Sequence, residues 1–264
     1  SESLLFLSLL HQLLHEPACI DWSSWTHLCP SKQVSLSLLP PPLPSQLPSL
    51  LRRLAVIRLN GGLGTTMGCH GPKSSIIVKD GLSFLEVCLR QHERFVNGTG
   101  VSIPLLLMNS FATHEETEEA VGGRARCFCQ SKCPRLDAKS LLPLPDEEDS
   151  ERWYPPGHGN VFVALEEAGL LSDLLRSGHD ILFISNIDNT GATPSEEILS
   201  GSQAGTSTMQ WNAPRRLRPI SKEVHSSKSM AVQCTWRCLK FLPITLTIFA
   251  LLTFSKSSTR TTSW

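Results

Sequence analysis

The chain has 264 residues, enough for one large domain or two small ones, and 41% of them are hydrophobic, so a sizeable core is available. Lys plus Arg equal Asp plus Glu at 24 each, which leaves no polybasic surface for nucleic acid or an anionic membrane. The 9 cysteines are odd in number and lack paired CxxC spacing, a pattern of a reducing cytoplasm rather than a disulfide framework.

Composition divides the chain into residues 1–50, 51–200 and 201–264. The first part opens with an apolar stretch, Leu4 to Leu14, without a basic flank and interrupted by His11 and Gln12, so it reads as neither a signal peptide nor a span. A Pro/Ser/Leu-rich run follows, LSLLPPPLPSQLPS, in which proline fixes φ and removes N–H donors. It is expected to contribute no regular core element.

From residue 51 strands and helices alternate. Leu54–Leu59 (LAVIRL) reads as a buried strand, and a glycine-rich loop follows. The pattern then predicts a short strand over 75–78, a helix over 82–95, a buried strand over 103–108 and an acidic helix over 114–121. A strand over 124–129, one helix over 160–176 and a strand over 181–185 complete the series. This order predicts an α/β fold with a mostly parallel, doubly wound sheet, whose ligands bind beyond the carboxyl ends of the strands. After about residue 200 the alternation stops. Phe241–Phe254 is apolar but only 14 residues long and contains Pro243, against the ~20 apolar residues a spanning helix needs. Residues 201–264 are expected to be disordered or non-native.

Cys127, Cys129 and Cys133 form CFCQSKC; small thiols on one face of a strand are the reading preferred to a metal site. The strongest chemical signal is LNGGLGTTMGCHGPKS, Leu59 to Ser74. A strand runs into a loop with glycines at 61, 62, 64, 68 and 71, whose bare backbone N–H groups can approach an anion closely. Lys73 follows the last glycine and can reach a phosphate as a point charge. The spacing is neither a Walker A loop nor GxGxxG. Asp188, just past an apolar strand, can face a ligand crevice or close an Asx turn. In WYPPGHGN a rigid turn precedes a helix, so its N–H groups can point at an anion.

LNGGLGTTMGCHGPKS closely resembles the loop LNGGLGTSMGCKGPKS of UTP–glucose-1-phosphate uridylyltransferases. The resemblance continues through IPLLLMNSFATHEET, CQSKCPRLDAKSLLPLP, WYPPGHGN and ISNIDNTGAT, and LLHQLLHEPACIDW is similar to the family's N-terminal helix and turn. His70 departs from the family's lysine and places a weaker, pH-dependent charge beside the loop.

The resemblance implies a Rossmann-like nucleotidyltransferase domain that uses Mg²⁺ and converts UTP and glucose 1-phosphate to UDP-glucose and pyrophosphate in the cytoplasm. It implies that Leu59, Asn60, Gly61 and Gly62 hold the nucleotide, and that Lys73 is the catalytic lysine at the phosphates. Gln130 and Gly157 match uracil-recognition positions, and His158 lies next to the sugar phosphate. Asn186, Ile187 and Asp188 match the run that contacts sugar and metal, with Asp188 as metal ligand and nucleotide contact. The donor and acceptor of the Gln130 amide suit a uracil edge, although a strand-end polar residue needs no ligand. The resemblance also implies a further strand-rich half of the domain, a second phosphate lysine and a C-terminal β-helix used for homo-oligomerisation. Residues 201–264 resemble none of these. The expectation for this chain is therefore an inactive or merely nucleotide-binding fragment of the partial domain 51–200.

The tail instead reads as family sequence in a shifted frame. CTC AAA GGA GGT ACA CTC ATC, one coding of the family segment LKGGTLI, gives SKEVHS when read one nucleotide later, as in Ser221–Ser226. The family segment FKIFNTNN similarly gives SKSSTRT, as in Ser255–Thr261. Sequencing the transcript checks this: shifting the frame near codon 200 should regenerate LKGGT-like and FKIFNTNN-like peptides, and their absence from every frame would end the argument.

Overall fold

The structure, a computed structural model, describes residues 2–15, 33–35, 39, 41, 43–64, 68, 71–144, 152–201, 209–214, 229–233 and 247–251. His70 and the segments 221–226 and 255–261 lie outside them.

Helix α1 (Glu2–His15) exposes Leu4, Leu7, Leu13 and Leu14. Among the described residues no helix is long and apolar enough to cross a membrane. Strand β1 is Gln33–Ser35. The proline-rich run ends inside a helix, α2 (Leu47–Leu51), contrary to the expectation that it builds no regular element. Pro48 sits in the first turn, where a missing N–H costs nothing, and Leu50 and Leu51 are buried.

Strand β2 (Leu54–Asn60) is buried throughout. Where a strand over 75–78 is predicted, Lys73–Ser75 instead forms one tight 3₁₀ turn, followed by an outlying hairpin of β3 (Ile77–Lys79) and β4 (Leu82–Ser83). Helix α3 (Phe84–Thr99) starts on a Ser-x-x-Glu signal: the Ser83 hydroxyl accepts from the Glu86 N–H, and Gly100 ends the helix. Strand β5 (Leu105–Asn109), helix α4 (His114–Val121) and strand β6 (Arg126–Cys129) follow close to their predicted places. The short strands β7 (Cys133–Pro134) and β8 (Trp153–Tyr154) pair with one another.

The helix predicted over 160–176 is two helices, α5 (Val161–Glu167) and α6 (Leu170–Arg176). They part at Gly169, whose φ of 71° lies in the left-handed region that glycine enters without a Cβ clash. Strand β9 (Ile181–Asn186) and helix α7 (Glu196–Gly201) complete the described part of residues 51–201. Beyond it the structure describes three strands, β10 (Met209–Pro214), β11 (Ser229–Gln233) and β12 (Thr247–Leu251), in the region without a sequence period.

The main sheet runs β1-β11-β10-β12-β9-β2-β5-β6. Pairing is parallel from β10 to β6, and β11 and β1 are antiparallel at the other edge. Alternate residues enter opposite layers, as strand periodicity demands. Leu54, Val56, Leu105, Leu107, Ile181 and Phe183 pack with Leu85, Cys88 and Leu89 of α3. Ala55, Ile57, Leu106, Met108, Leu182 and Ile184 pack against Val161, Leu165, Leu171 and Leu174 of α5 and α6. The sheet at β2, β5 and β9 is thus covered on both faces, which explains why these strands read as continuous apolar runs.

The break at Gly169 gives a test with opposite signs. In one continuous helix, Gly169→Ala would stabilise the chain by about 1 kcal/mol. At a left-handed corner the added Cβ costs roughly 1–2 kcal/mol. Urea unfolding followed by circular dichroism should therefore show the variant to be less stable.

Candidate functional site

From β2 the chain winds outward through α3 to β5 and β6, then returns through α5 and α6 to β9 on the opposite side of β2. The winding reverses between β2 and β9, and the crevice beyond their carboxyl ends is where such sheets bind ligands. Leu59 stands opposite Asn186, and the Ile187 N–H donates to the Leu59 carbonyl at 3.1 Å. A cavity of about 250 Å³ opens there, lined by Leu59, Asn60, Gly62, Lys73, His158, Asn186, Ile187 and Asp188. Each of these eight was singled out from the sequence.

The glycine loop leaves β2 and folds back on itself. The Gly64 N–H donates to the Gly71 carbonyl (3.0 Å) and the Lys73 N–H to the Gly62 carbonyl (2.9 Å), with Leu63 bridged to Pro72. This returns Lys73 to the crevice, where its ammonium donates to Asp188 Oδ2 at 2.5 Å. Asp188 therefore lies beside the loop, as the strand-end placement of both motifs predicts.

The other three predicted residues stand just behind this lining. Gln130 follows β6, its N–H donating to the Asn109 carbonyl (2.8 Å). Its amide presses on Gly61 so closely that a Cβ there would lie 2.2 Å from Gln130 Nε2. Gly157 immediately precedes the His158–Asn160 turn. Asn160 Oδ1 accepts from the Ser131 N–H at 2.8 Å, tying this turn to the residue after Gln130.

Sequence reasoning missed the support beneath Asn60. Its Nδ2 donates to Asn109 Oδ1 (2.8 Å) and Thr117 Oγ1 (2.9 Å), and the Thr113 hydroxyl donates to its carbonyl (3.0 Å). Asn109, Thr113 and Thr117 are all buried. The available signal was a polar residue, Asn109, ending an apolar strand. Arg58 was missed too, although it stands alone as a cation in LAVIRL. It is 4% exposed, donates to the Ser185 hydroxyl, and lies 5.7 Å from the centre of the Phe183 ring. Burial pulls its pKa down.

Several polar atoms at the crevice lack protein partners. Asn60 Oδ1, Gln130 Oε1 and Asn186 Oδ1 are buried without a hydrogen bond among the described residues. A buried unsatisfied acceptor is costly and rare in a resting structure, and two of these three residues, Asn60 and Asn186, line the cavity. The His158 pKa is held below its ordinary value by the protein around the ring, and Asp188 pulls it back up in part. Among the described residues no group of three or more His, Cys, Asp or Glu forms a metal cage. Asp188, the one carboxylate among the described lining residues, suits a hard cation that takes most of its ligands from a phosphate and water. Burial raises the pKa of the Cys88, Cys127 and Cys129 thiols.

The family model for UTP–glucose-1-phosphate uridylyltransferase matches residues 4–208, well over half of the chain. The Saccharomyces cerevisiae UTP–glucose-1-phosphate uridylyltransferase is 49% identical over 160 residues, 58% of this chain and 32% of the yeast protein. The Hordeum vulgare enzyme is 41% identical over 208 residues, 74% of this chain and 44% of its own. A crystal structure of a UDP-glucose pyrophosphorylase mutant from Leishmania major in complex with UDP-glc superposes with a TM-score of 0.70 at 26% identity, covering 84% of this chain and 47% of that one. The Trypanosoma brucei UDP-glucose phosphorylase gives 0.63 at 29% identity, covering 81% and 48%. The chain thus spans between about a third and a half of the length of these proteins.

The His158–Asp188 adjacency has a spectroscopic consequence. In an NMR titration the His158 ring should titrate below an ordinary histidine. Asp188→Asn removes the raising influence and should move the titration lower still. A shift upward, or none, would mean that the two side chains do not share the crevice.

Proposed function

This chain belongs to the UTP–glucose-1-phosphate uridylyltransferase family, and on that premise we propose that the crevice at the ends of β2 and β9 binds UTP and glucose 1-phosphate for uridylyl transfer, giving UDP-glucose and pyrophosphate in the cytoplasm. The observation that carries this reading is the meeting of Lys73 with Asp188, at 2.5 Å, beside the glycine loop and the unpartnered amide oxygens.

In the proposed reaction a phosphate oxygen of glucose 1-phosphate attacks the α-phosphorus of UTP in line, and the bond to pyrophosphate breaks. Such transfer needs positioning and charge neutralisation more than covalent chemistry. The Leu59–Gly62 backbone would hold the nucleotide, and the Gln130 amide, held against Gly61, would offer its donor and acceptor to the uracil edge. Lys73 would neutralise phosphate oxygens. His158 would donate a hydrogen bond to the sugar phosphate, and Asn186 would contact the sugar hydroxyls. Asp188 would hold Mg²⁺, which would supply further neutralisation of the developing charge.

A second reading, binding without turnover, is favoured by one feature of the same crevice. Among the described lining residues Lys73 is the one Lys or Arg. Each cation or preorganised donor missing from such a transition state costs about 10²–10³ in rate.

Calorimetry with the full chain should show UTP binding in the presence of Mg²⁺. Gly61→Ala should weaken that binding by about tenfold or more, the equivalent of one or two hydrogen bonds, because the new Cβ displaces the Gln130 amide. Its melting temperature should hold, since only the end of a flexible side chain must move. Unchanged UTP affinity in Gly61→Ala would refute the base-reading role, and absence of UTP binding in the parent chain would refute the site. A pyrophosphate-release assay with glucose 1-phosphate then separates the readings. Turnover within tenfold of a full-length relative supports transfer, and a rate about 10⁴ lower supports binding alone.

A further inference from the structure

We propose that a second cavity, between α1 and the β7–β8 pair, binds a small amphipathic anion (an apolar body carrying one anionic group) and that its occupancy is transmitted to the crevice. The cavity measures about 290 Å³, at the small end of the range of roughly 300–1,000 Å³ for ligand pockets. It is lined by Ser3, Phe6, Leu7, Lys132, Pro134 and Trp153, and it shares no described lining residue with the crevice.

The lining fixes the class of ligand. Phe6 and Leu7 come from α1, Pro134 from β7 and Trp153 from β8, so the walls are mainly apolar. Leu7 is 56% exposed and Phe6 half-buried, apolar surface that a ligand would remove from water. Among the described lining residues Lys132 is the one charged side chain, and its ammonium lies 4.7 Å from the centre of the Trp153 ring. The Arg152 guanidinium lies 5.0 Å from the same centre. The indole thus sets two cations beside an apolar surface, and a ring face attracts a cation without neutralising its charge. An anionic group suits that end of the space, and an alkyl or aromatic body suits the rest. A cationic head would be repelled. A small, fully polar anion would forgo the apolar burial that drives most such binding.

Both walls lead directly into the crevice. Lys132 stands two residues after Gln130, and Trp153 five residues before His158. The strand pair holds Pro134 opposite Trp153 and Cys133 opposite Tyr154, so the two walls are joined. Beyond Tyr154, Pro155 and Pro156 fix φ on the way to the His158–Asn160 turn, which the Asn160 N–H closes by donating to the Gly157 carbonyl at 3.1 Å. A displacement of β8 is therefore carried toward His158 rather than absorbed. The other wall reaches the same turn, because Asn160 Oδ1 accepts from the Ser131 N–H at 2.8 Å. A ligand that wedges α1 away from the strand pair thus has two short routes to His158.

The test uses the full chain, with octanoate as the probe and octanol, octylammonium and acetate as comparisons. Calorimetry should show octanoate bound about tenfold or more tightly than each of the other three. Lys132→Met should remove the preference for octanoate over octanol, and Lys132→Arg should keep it. Phe6→Ser should weaken octanoate and octanol alike, by about tenfold. Saturating octanoate should also move the His158 ring signals of the parent chain in NMR. Octanoate bound no better than octylammonium or octanol by the parent chain overturns the site even if no variant folds, and a preference that survives in Lys132→Met overturns the role of the cation. Octanoate that binds without moving the His158 signals overturns the transmission. Neither readout involves UTP, so failure here leaves the nucleotide reading standing, and failure of UTP to bind leaves this site standing.

Discussion

The candidate site depends on the parallel register between β2 and β9. Leu54 pairs with Ile181 at one end and Leu59 with Asn186 at the other, so two strands far apart in sequence finish level. A shift by a single residue would turn every β9 side chain to the opposite layer, sending Leu182 and Ile184 away from α5 and α6. The apolar alternation that holds these strands between their helices therefore also holds Leu59 level with Asn186 at the mouth of the crevice. Core packing and site geometry are one constraint here, because the polar residues begin where the apolar ones stop.

Asn186, Ile187 and Asp188 show how closely the two are joined. Ile187 is 4% exposed and belongs to the α3-side core with Ala192, which is fully buried. The Gln91 amide of α3 donates to the Thr190 carbonyl at 3.0 Å, fastening the same turn to the helix. An apolar anchor between two polar residues fixes where both point without spending a polar contact on it. Asp188 is thus placed by hydrophobic burial on one side and by Lys73 on the other.

Much of this was legible in the sequence, for definite reasons. Strands covered on both faces read as continuous apolar runs, and the residues directly after such runs fall at strand ends, where ligands bind. That logic located Asp188 and the glycine loop with Lys73, while Asn60 and Asn186 came from the resemblance of their motifs to the family's. What could not be read was anything set by tertiary pairing. The bonds from Asn109 and Thr117 to Asn60 join residues about fifty positions apart, and no local pattern announces them. The break at Gly169 was missed because the apolar spacing of 161–174 continues across it, and only the backbone conformation reveals the corner. Pro48 misled in the other direction: proline was read as a breaker although the first turn of a helix accepts it.

Arg58 is a buried cation in the strand that ends at the crevice. The guanidinium is buried among a serine hydroxyl, an aromatic face and the neighbouring Cys88 thiol, and burial opposes its charge. Attraction between charges grows as the surrounding dielectric falls, so a cation held in the core acts over a longer range than one in water. Its place in the chain is one residue before Leu59, which begins the crevice. Its side chain turns to the α3-side layer, opposite to the side chain of Leu59, so the strand carries a cation on one face and the crevice lining at its end. A buried charge with no carboxylate partner among the described residues is costly to fold, and the Ser185 hydroxyl and the Phe183 ring offset part of that cost.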